Sequence, residues 1–449
     1  MSIHKVRHFV QISAVVIALL THHQANARYY HLIEIIPPGT STIVWVRAIN
    51  NHGAIVGTAG SPGSWIPFLR TSDGVFKDIG TYGGYYGAGA NGINERGDII
   101  IGLSWEGLGL IRTSFGKLIQ MPKDIFISSP TSINDRQQVL ASGLLSGMRG
   151  FIWDPRTDTR TLLDPSETYY SQPYDMNNSM WAVGDAWDSN TSRRAFLFTP
   201  RKKMQLLPAS ETGASYARGI NEYGVVVGSS HRSQGWWSWL CSTYWDKKQV
   251  PHFIPIASDT KGAAEAINNA GDIVGYCQRN WNDTGFLYKE GIIRYLEDLV
   301  QSNSGWRITH PRDINDRGWI ITDGMRSGGG GIRALLLIPP LEIECGPLVP
   351  GKWVDISVSG AEPGALALFF MGYKGIGSGP CYKNFGFCLD LLDPFLIGIK
   401  LVDRFGEASI KRWVPTRSKG VDIYLQAAVG QKTTWNVVGP ITNKITRLK

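Results

Sequence analysis

One nine-residue phrase occurs seven times in this chain. It reads INNHGAIVG from Ile49, INERGDIII from Ile93, INDRQQVLA from Ile133, MNNSMWAVG from Met176, INEYGVVVG from Ile220, INNAGDIVG from Ile267 and INDRGWIIT from Ile314. Its second residue is Asn50, Asn94, Asn134, Asn177, Asn221, Asn268 and Asn315, a step of 40 to 47 residues. A chain that repeats at this interval is assembled from copies of one supersecondary unit, and the interval suits one blade of a β-propeller.

The phrase has a local physical meaning. Asn bonds its own backbone two residues on, and Gly accepts a positive φ. An apolar residue, Asn, two variable residues and Gly therefore make a tight hairpin turn, and the Ile/Val run after it prefers strand. Gly53, Gly97, Gly224, Gly271 and Gly318 hold the turn position, whereas Gln137 and Met180 replace it, which predicts two differing turns. This is turn chemistry rather than site chemistry.

Between the phrases lie further strand candidates. An aromatic or aliphatic piece follows each one, such as Trp65 to Leu69 and Ala195 to Phe198, and a shorter apolar piece such as VFKDIG from Val75 precedes the next. Each unit thus offers four short strands. The seventh supplies strands near Trp306 to Asn315, Gly318 to Asp323 and Ala334 to Ile338, and then stops at Pro339. Tyr29 to Ile36 has no phrase of its own, so it is expected as the missing outer strand. Pairing of the two ends removes exposed edges. The expectation is an all-β chain: a seven-bladed propeller over residues 28–340, with four-stranded blades and an N-terminal strand closing the last one.

The repeats resemble the HAF-type repeats of secreted, mostly bacterial proteins. In these an A-x-x-I-N-x-x-G-x-V-V-G segment is followed by an A-F-L-W-like strand and an L-G-rich link. RAFLF at Arg194 and DIGTYGG at Asp78 match the later parts, and the resemblance covers roughly Tyr29 to Pro340. It implies architecture and no single activity.

Residues 1–27 read as a signal peptide. Lys5 and Arg7 precede an apolar run from Val10 to Leu20, and Ala25-Asn26-Ala27 forms an A-x-A cleavage signal. A retained anchor is the alternative, although a spanning helix needs about 20 apolar residues. No later stretch is long enough to span a membrane. Loss of Lys5 and Arg7, with no acidic residue among 1–27, takes the formal charge from +8 to +6. That mild excess slightly favours anionic surfaces or polysaccharides and gives no argument for nucleic acid.

An extracellular location makes the cysteines informative. Cys381 and Cys388 flank YKNFGF and are the best disulfide candidates. Cys241 and Cys277 lie on neighbouring repeats and could staple them, which leaves Cys345 over. No CxxC and no spaced His set suggests a metal, and no cofactor motif is present. After Pro339-Pro340 the repeat stops. Residues 341–449 offer strands at Trp353 to Val358, Ala365 to Met371, Leu396 to Val402, Ala408 to Val414 and Val421 to Ala428, the pattern of a small β-sandwich. GIGSGPCYKNFGFCLDLLDP from Gly375, with YLQA at Tyr424, looks like a C-terminal module of predicted secreted proteins from environmental bacteria.

Catalytic motifs are missing: there is no G-x-S-x-G, H-E-x-x-H or Walker loop. Glu106, Asp185, Asp188 and Glu211 are the loop carboxylates that a glycosidase would have to bring together. The tight turns leave little room on their face, so a ligand is expected on the opposite loops. These include the Tyr-rich TYGGYYG from Thr81. They also include a polar loop from Ser229 to Leu240, and they carry Trp105, Trp187, Trp236, Trp237 and Trp281, whose flat faces suit sugar rings. Arg193, Arg194, Arg232 and Arg279 beside them suit carboxylates or sulfates. Aromatics also pack blade on blade, which is the competing explanation for each Trp. The expectation is a secreted recognition or adhesion protein for a glycan or cell-surface partner. The alternatives are an extracellular polysaccharide-active enzyme and a structural envelope protein. Clustered carboxylates at the channel favour the enzyme, and an aromatic, Arg-lined groove favours binding.

Overall fold

Each phrase folds into the same hairpin turn. In the second copy, Asn94 Oδ1 accepts the N–H groups of Arg96 at 3.1 Å and Asp98 at 2.8 Å, and Gly97 N–H donates to the Asn94 carbonyl at 3.1 Å. Gly97 has φ +81°. Gln137 and Met180 sit at φ +62° and +61° and make the same N–H bond to Asn134 and Asn177, so the two turns expected to differ do not. Neither side chain is β-branched, which keeps the left-handed conformation within reach.

The computed structural model describes residues 29–444, apart from 40–42, 62–63, 81–87, 104–105, 146, 165–169, 188–191, 210–212, 235–236, 257–260, 303, 330, 362–363, 383–386, 404–405, 415–421 and 432–433. The expected signal peptide, residues 1–27, therefore lies outside the described residues. Two compact units emerge, Leu32–Leu337 and the C-terminal stretch Ile338–Lys449.

Among the described residues, the first unit holds seven four-stranded sheets, each containing one phrase. The phrase turn joins the first strand of a sheet to its second. Sheet five is typical, with Ser215–Ile220, Val226–Gln234, Trp237–Trp245 and Pro251–Phe253 in sequential order. The first strands of the others are Ile43–Ile49, Ala88–Ile93, Phe126–Ile133, Tyr170–Met176, Gly262–Ile267 and Trp306–Ile314. In the seventh sheet the outer strand is His31–Glu34, paired with Ile332–Ile338.

Second strands are apolar on both faces, because each sheet is covered on both sides. Ile99 and Ile101 pack with Val56, Ile79 and Ala88, while Ile100 packs with Ile127, Val139 and Phe151 of the third sheet. The Ile/Val run in the phrase is thus a buried strand rather than an alternating one.

Two hydrogen-bond series tie the turns together. The side-chain amide of Asn50 donates to the Asn94 carbonyl at 3.1 Å, and Asn94 does the same to Asn134 at 3.0 Å. Asn177, Asn221 and Asn268 repeat the bond to Asn221, Asn268 and Asn315, and Asn315 donates to the Asn50 carbonyl at 2.9 Å. Asn134 instead turns its amide to Gln138 Oε1 at 2.9 Å.

The second series uses the residue after each Asn. The backbone N–H groups of Asn51, Glu95, Asp135 and Asn178 reach the side-chain oxygens of Glu95, Asp135, Asn178 and Glu222 at 2.8–3.0 Å. Those of Glu222, Asn269 and Asp316 reach Asn269, Asp316 and Asn51 at 2.7–2.9 Å. A position that reads as variable therefore carries an oxygen acceptor in all seven copies.

The C-terminal unit contains a three-stranded sheet, Glu342–Cys345, Trp353–Ser359 and Ala408–Trp413. It also contains a four-stranded one in the order Phe395–Leu401, Leu366–Gly372, Asp422–Gln431 and Thr434–Lys444. Val354, Ile356 and Val358 from the first share one apolar cluster with Ala367, Phe369, Leu425 and Ala427 from the second. A short hairpin sets Cys381 directly opposite Cys388.

Candidate functional site

Every repeat departs from a regular ladder at one shared place, and the third and seventh do so at a second place as well. The register of first on second strand skips Arg47, Asn91, Thr131, Tyr174, Arg218, Glu265 and Arg312 in turn. Each lies three residues before the phrase Asn. A β-bulge of this kind re-aims a side chain and bends the strand. Opposite it the strands approach closely: a Cβ at Gly184 or Gly228 would overlap the carbonyl oxygen of Gln172 or Tyr216. The final Gly of the phrase in these copies thus serves close approach, whereas the turn Gly serves a positive φ.

The bulged side chains are all polar and half-buried or exposed. Arg218 lies over the Tyr174 ring at 4.3 Å. Arg312 donates Nε and Nη2 to Asp323 Oδ2 at 3.1 and 2.6 Å. Burial lowers the pKa of Arg47, the Arg312 charge lowers it further, and Asp323 opposes both. Second-strand residues extend the cluster. Tyr276 is pushed up by burial and then by the carboxylates of Glu265 and Asp283, with Arg218 and Arg312 acting against them. Its ring meets that of His310 at 4.5 Å, and His310 Nε2 is 3.3 Å from Asp283 Oδ2.

Asp185 is the most deeply placed carboxylate here. Its side chain is 0% exposed, Arg193 Nη1 sits 2.9 Å from Oδ2, and Oδ1 has no hydrogen-bond partner among the described residues. Burial raises its pKa, against the Tyr174 hydroxyl and the charges of Arg193 and Arg218. Tyr174 is in turn pushed up to about 12, first by burial and then by Asp185. Arg193 also covers the Trp187 ring at 4.2 Å, and Trp187 meets Tyr170 at 6.0 Å.

Of the residues chosen from sequence, Trp187 and Arg193 therefore come together, with Asp185 beneath them. Arg194 is used differently, donating Nη2 to the Leu207 carbonyl at 3.3 Å. Arg232 lies over Phe253 at 5.3 Å, and Arg279 over Tyr295 at 4.6 Å, each within its own sheet. Trp281 is 92% exposed in a tight turn at φ +64°.

Trp105, Trp236, Asp188, Glu211 and the Tyr-rich segment 81–87 lie outside the described residues, and only the backbone of Trp237 is described. That backbone corrects one expectation. Ser229 to Leu240 is no loop: Val226–Gln234 and Trp237–Trp245 stay paired out to Gln234 opposite Trp237. Glu106 lies in a turn after the second strand of its sheet, with Oε2 buried and without a partner among the described residues.

The suggested Cys241–Cys277 staple is also corrected: both residues are buried thiols. The neighbouring Ser242 is the one that faces the next sheet, since a Cβ at Gly262 would lie 3.1 Å from both Ser242 Oγ and Cys277 Cα. Strand alternation then turns Cys241 the other way.

The opposite end differs in character. Around the acceptor series is a cavity of about 150 Å³, lined by amides and acids such as Asn51, Glu95, Glu222, Asn269 and Asp316. Among the described residues no cluster of His, Cys, Asp and Glu fits a metal ion, and no helix is long and apolar enough to cross a membrane.

No protein-family model and no curated protein matches the chain. Among solved structures, it is similar to a streptogramin B lyase at 12% identity and a TM-score of 0.44, over 69% of this chain and 98% of that one. Virginiamycin B lyase from Staphylococcus aureus aligns at 12% identity and 0.43, over 69% and 100%. YCF48 bound to D1 peptide aligns at 10% identity and 0.45, over 69% and 96%. These neighbours are β-propeller proteins, and this chain is likewise all-β with repeated four-stranded sheets.

The bulged residues are the functional candidates that motif reading misses. Their signal is positional: counting back three from each phrase Asn finds all seven.

Proposed function

We propose that the chain is a secreted recognition protein that binds an extracellular glycan or cell-surface partner at the bulged face of a closed, seven-bladed propeller of HAF-type repeats. The seven phrase-bearing sheets act as blades, and both hydrogen-bond series, which run from the seventh repeat back to the first, support closure. The C-terminal unit is read as a β-sandwich. In an oxidising compartment the opposed Cys381 and Cys388 form a disulfide.

One observation carries the binding reading. Seven repeats each turn one polar side chain out of the ladder at the same position, and those of sheets four to seven and one meet as a mixed Arg, Tyr and Glu cluster. Two of the carboxylates around it are covered, Asp185 by Arg193 and Asp323 by Arg312, while Asp283 is 42% exposed beside His310. Covered carboxylates favour recognition over glycosidase chemistry, which needs one acid and one base open to the substrate. The Trp187–Arg193 pair adds an amphipathic surface suited to a sugar ring.

A glycan array probed with the mature chain, alongside Arg218→Ala and Trp187→Ala, tests the reading. Specific glycans should be retained by the wild type and lost by more than about tenfold in the variants, at a nearly unchanged melting temperature, a stacked ring being worth roughly 1 kcal/mol beyond the apolar area it buries. Binding that neither variant alters would place recognition elsewhere. An array with no retained glycan would count against a glycan ligand.

A further inference from the structure

We propose that Arg47 and Arg312 form an anion subsite that receives a carboxylate or sulfate group of an acidic glycan. The inference rests on the recognition reading above and names the chemistry of its ligand.

The two arginines occupy the same bulge position on neighbouring first strands, Ile43–Ile49 and Trp306–Ile314. Those strands are held together by Ile49 N–H on Asp313 Oδ2 at 2.9 Å and by Asn315 on the Asn50 carbonyl at 2.9 Å. Two guanidiniums at equivalent positions of adjacent strands repel each other, and the fold supplies one carboxylate between them. That carboxylate is Asp323, 5% exposed, and both of its contacts at 3.1 and 2.6 Å go to Arg312. The Arg47 side chain has no hydrogen-bond partner among the described residues, and the residue as a whole is exposed. Its pKa is lowered first by lost hydration around the guanidinium and then by the Arg312 charge, with Asp323 acting against both.

One positive charge is thus left over where a ligand could reach it. A guanidinium presents a planar fork that matches the two oxygens of a carboxylate or sulfate. Elsewhere in the cluster the cations have partners: Arg218 lies among Tyr174, Glu265 and Asp185, and Arg193 sits on Asp185. The surplus is therefore local to the neighbouring first and seventh sheets.

The test uses the full mature chain and three oligosaccharide probes by isothermal titration: oligogalacturonate for carboxylate, sulfated dextran for sulfate, and neutral dextran. Arg47→Gln should weaken an acidic probe at least tenfold and leave neutral dextran unchanged. Arg47→Lys, which keeps the charge and loses the fork, should fall between. The probe that binds identifies the source of the anionic group.

A folding check by melting temperature accompanies each variant. An unfolded Arg47→Gln would move the decision to Arg47→Lys and to the salt dependence of the wild type, where acidic-probe binding that does not weaken with salt overturns the subsite. Acidic probes that bind Arg47→Gln as tightly as wild type also overturn it. If neutral glycans bind and acidic ones do not, the subsite fails while the recognition reading stands. If no glycan of any charge binds, the glycan form of the recognition reading fails, and the subsite with it.

Discussion

Gly224 and Gly271 occupy the same turn position in consecutive repeats, yet they should differ sharply in tolerance for Ala. Both are left-handed, at φ +79° and +90°, and both donate N–H to the phrase Asn carbonyl at 3.1 Å. At Gly271 a new Cβ meets nothing within 4 Å, whereas at Gly224 it would lie 2.5 Å from Trp181 Cζ3 and 3.1 Å from Cε3. The Trp181 ring packs on the cluster of Leu197, Ile220 and Trp245, so it has little freedom to yield. Backbone strain alone gives Gly271→Ala a cost of about 1 kcal/mol, at the low end for a left-handed non-Gly residue. Gly224→Ala carries the same strain plus overpacking of about 1–3 kcal/mol, since carbon contacts are favourable only near about 3.5–4 Å. Gly224→Val should be worse than Ala, because β-branching tolerates positive φ least. Urea unfolding followed by far-UV circular dichroism measures the difference. A double-mutant cycle with Trp181→Ala isolates its cause, as the excess cost at Gly224 should vanish once the ring is gone. Equal stability of Gly224→Ala and Gly271→Ala would refute the packing argument.

Two further predictions concern charge. Asp313 is held near pKa 7, first by burial, although it accepts N–H from Ile49 and Ile314. Its native state keeps a proton that the unfolded state releases near pH 4, so this group's contribution is complete below that pH and is lost as pH rises to about 7, on the order of 4 kcal/mol in all. Asp313→Asn should therefore lose less, or gain, relative to wild type at pH 8 compared with pH 5, and a melting-temperature difference that ignores pH would refute this. Glu222 is raised by burial and by neighbouring Asp135, Asp175 and Asp316, while its oxygen accepts Asn178 N–H at 3.0 Å. Glu222→Gln keeps the acceptor and should be neutral or stabilising at pH 7; Glu222→Leu removes it and should cost about 0.5–1.5 kcal/mol, the net worth of one solvent-accessible hydrogen bond. Equal melts for the two would show that the acceptor is dispensable.

Much of the fold was legible because its determinants are single letters at fixed spacing. Asn and Gly make the turn, and Ile and Val make the buried strand after it. The N-terminal segment was legible by elimination, since the seventh unit lacked a strand. The turn series was not, because Asn, Asp and Glu are one thing to a backbone N–H and three different letters to a reader. Asn51, Glu95 and Asp135 look variable until the shared demand for an acceptor is known.

The bulged positions fail for the opposite reason. Arg47, Asn91, Thr131, Tyr174, Arg218, Glu265 and Arg312 share a location and no chemistry, so no motif can contain them. Polarity misled in the Ser229–Leu240 segment, where Ser, His, Arg and Gln read as a loop and instead extend a hairpin beyond its buried part. Trp281 was legible as exposed but not as a turn residue, since an aromatic at positive φ is uncommon.

These two failures describe one division of labour. At the turn end, all seven repeats must satisfy the same donor in the same way, so their chemistry agrees and their freedom to diverge is small. At the bulge, each side chain is released from the ladder, and the backbone does not depend on what it carries. Repeats can therefore differ there without cost to the fold. A ligand that is not seven-fold symmetric can only be read by positions where the repeats disagree. Arg47 and Arg312 beside one carboxylate, and Tyr174 and Arg218 above another, are such disagreements. If the chain is the recognition protein proposed above, its specificity lies three residues before each phrase Asn, in the part of the repeat that does not repeat.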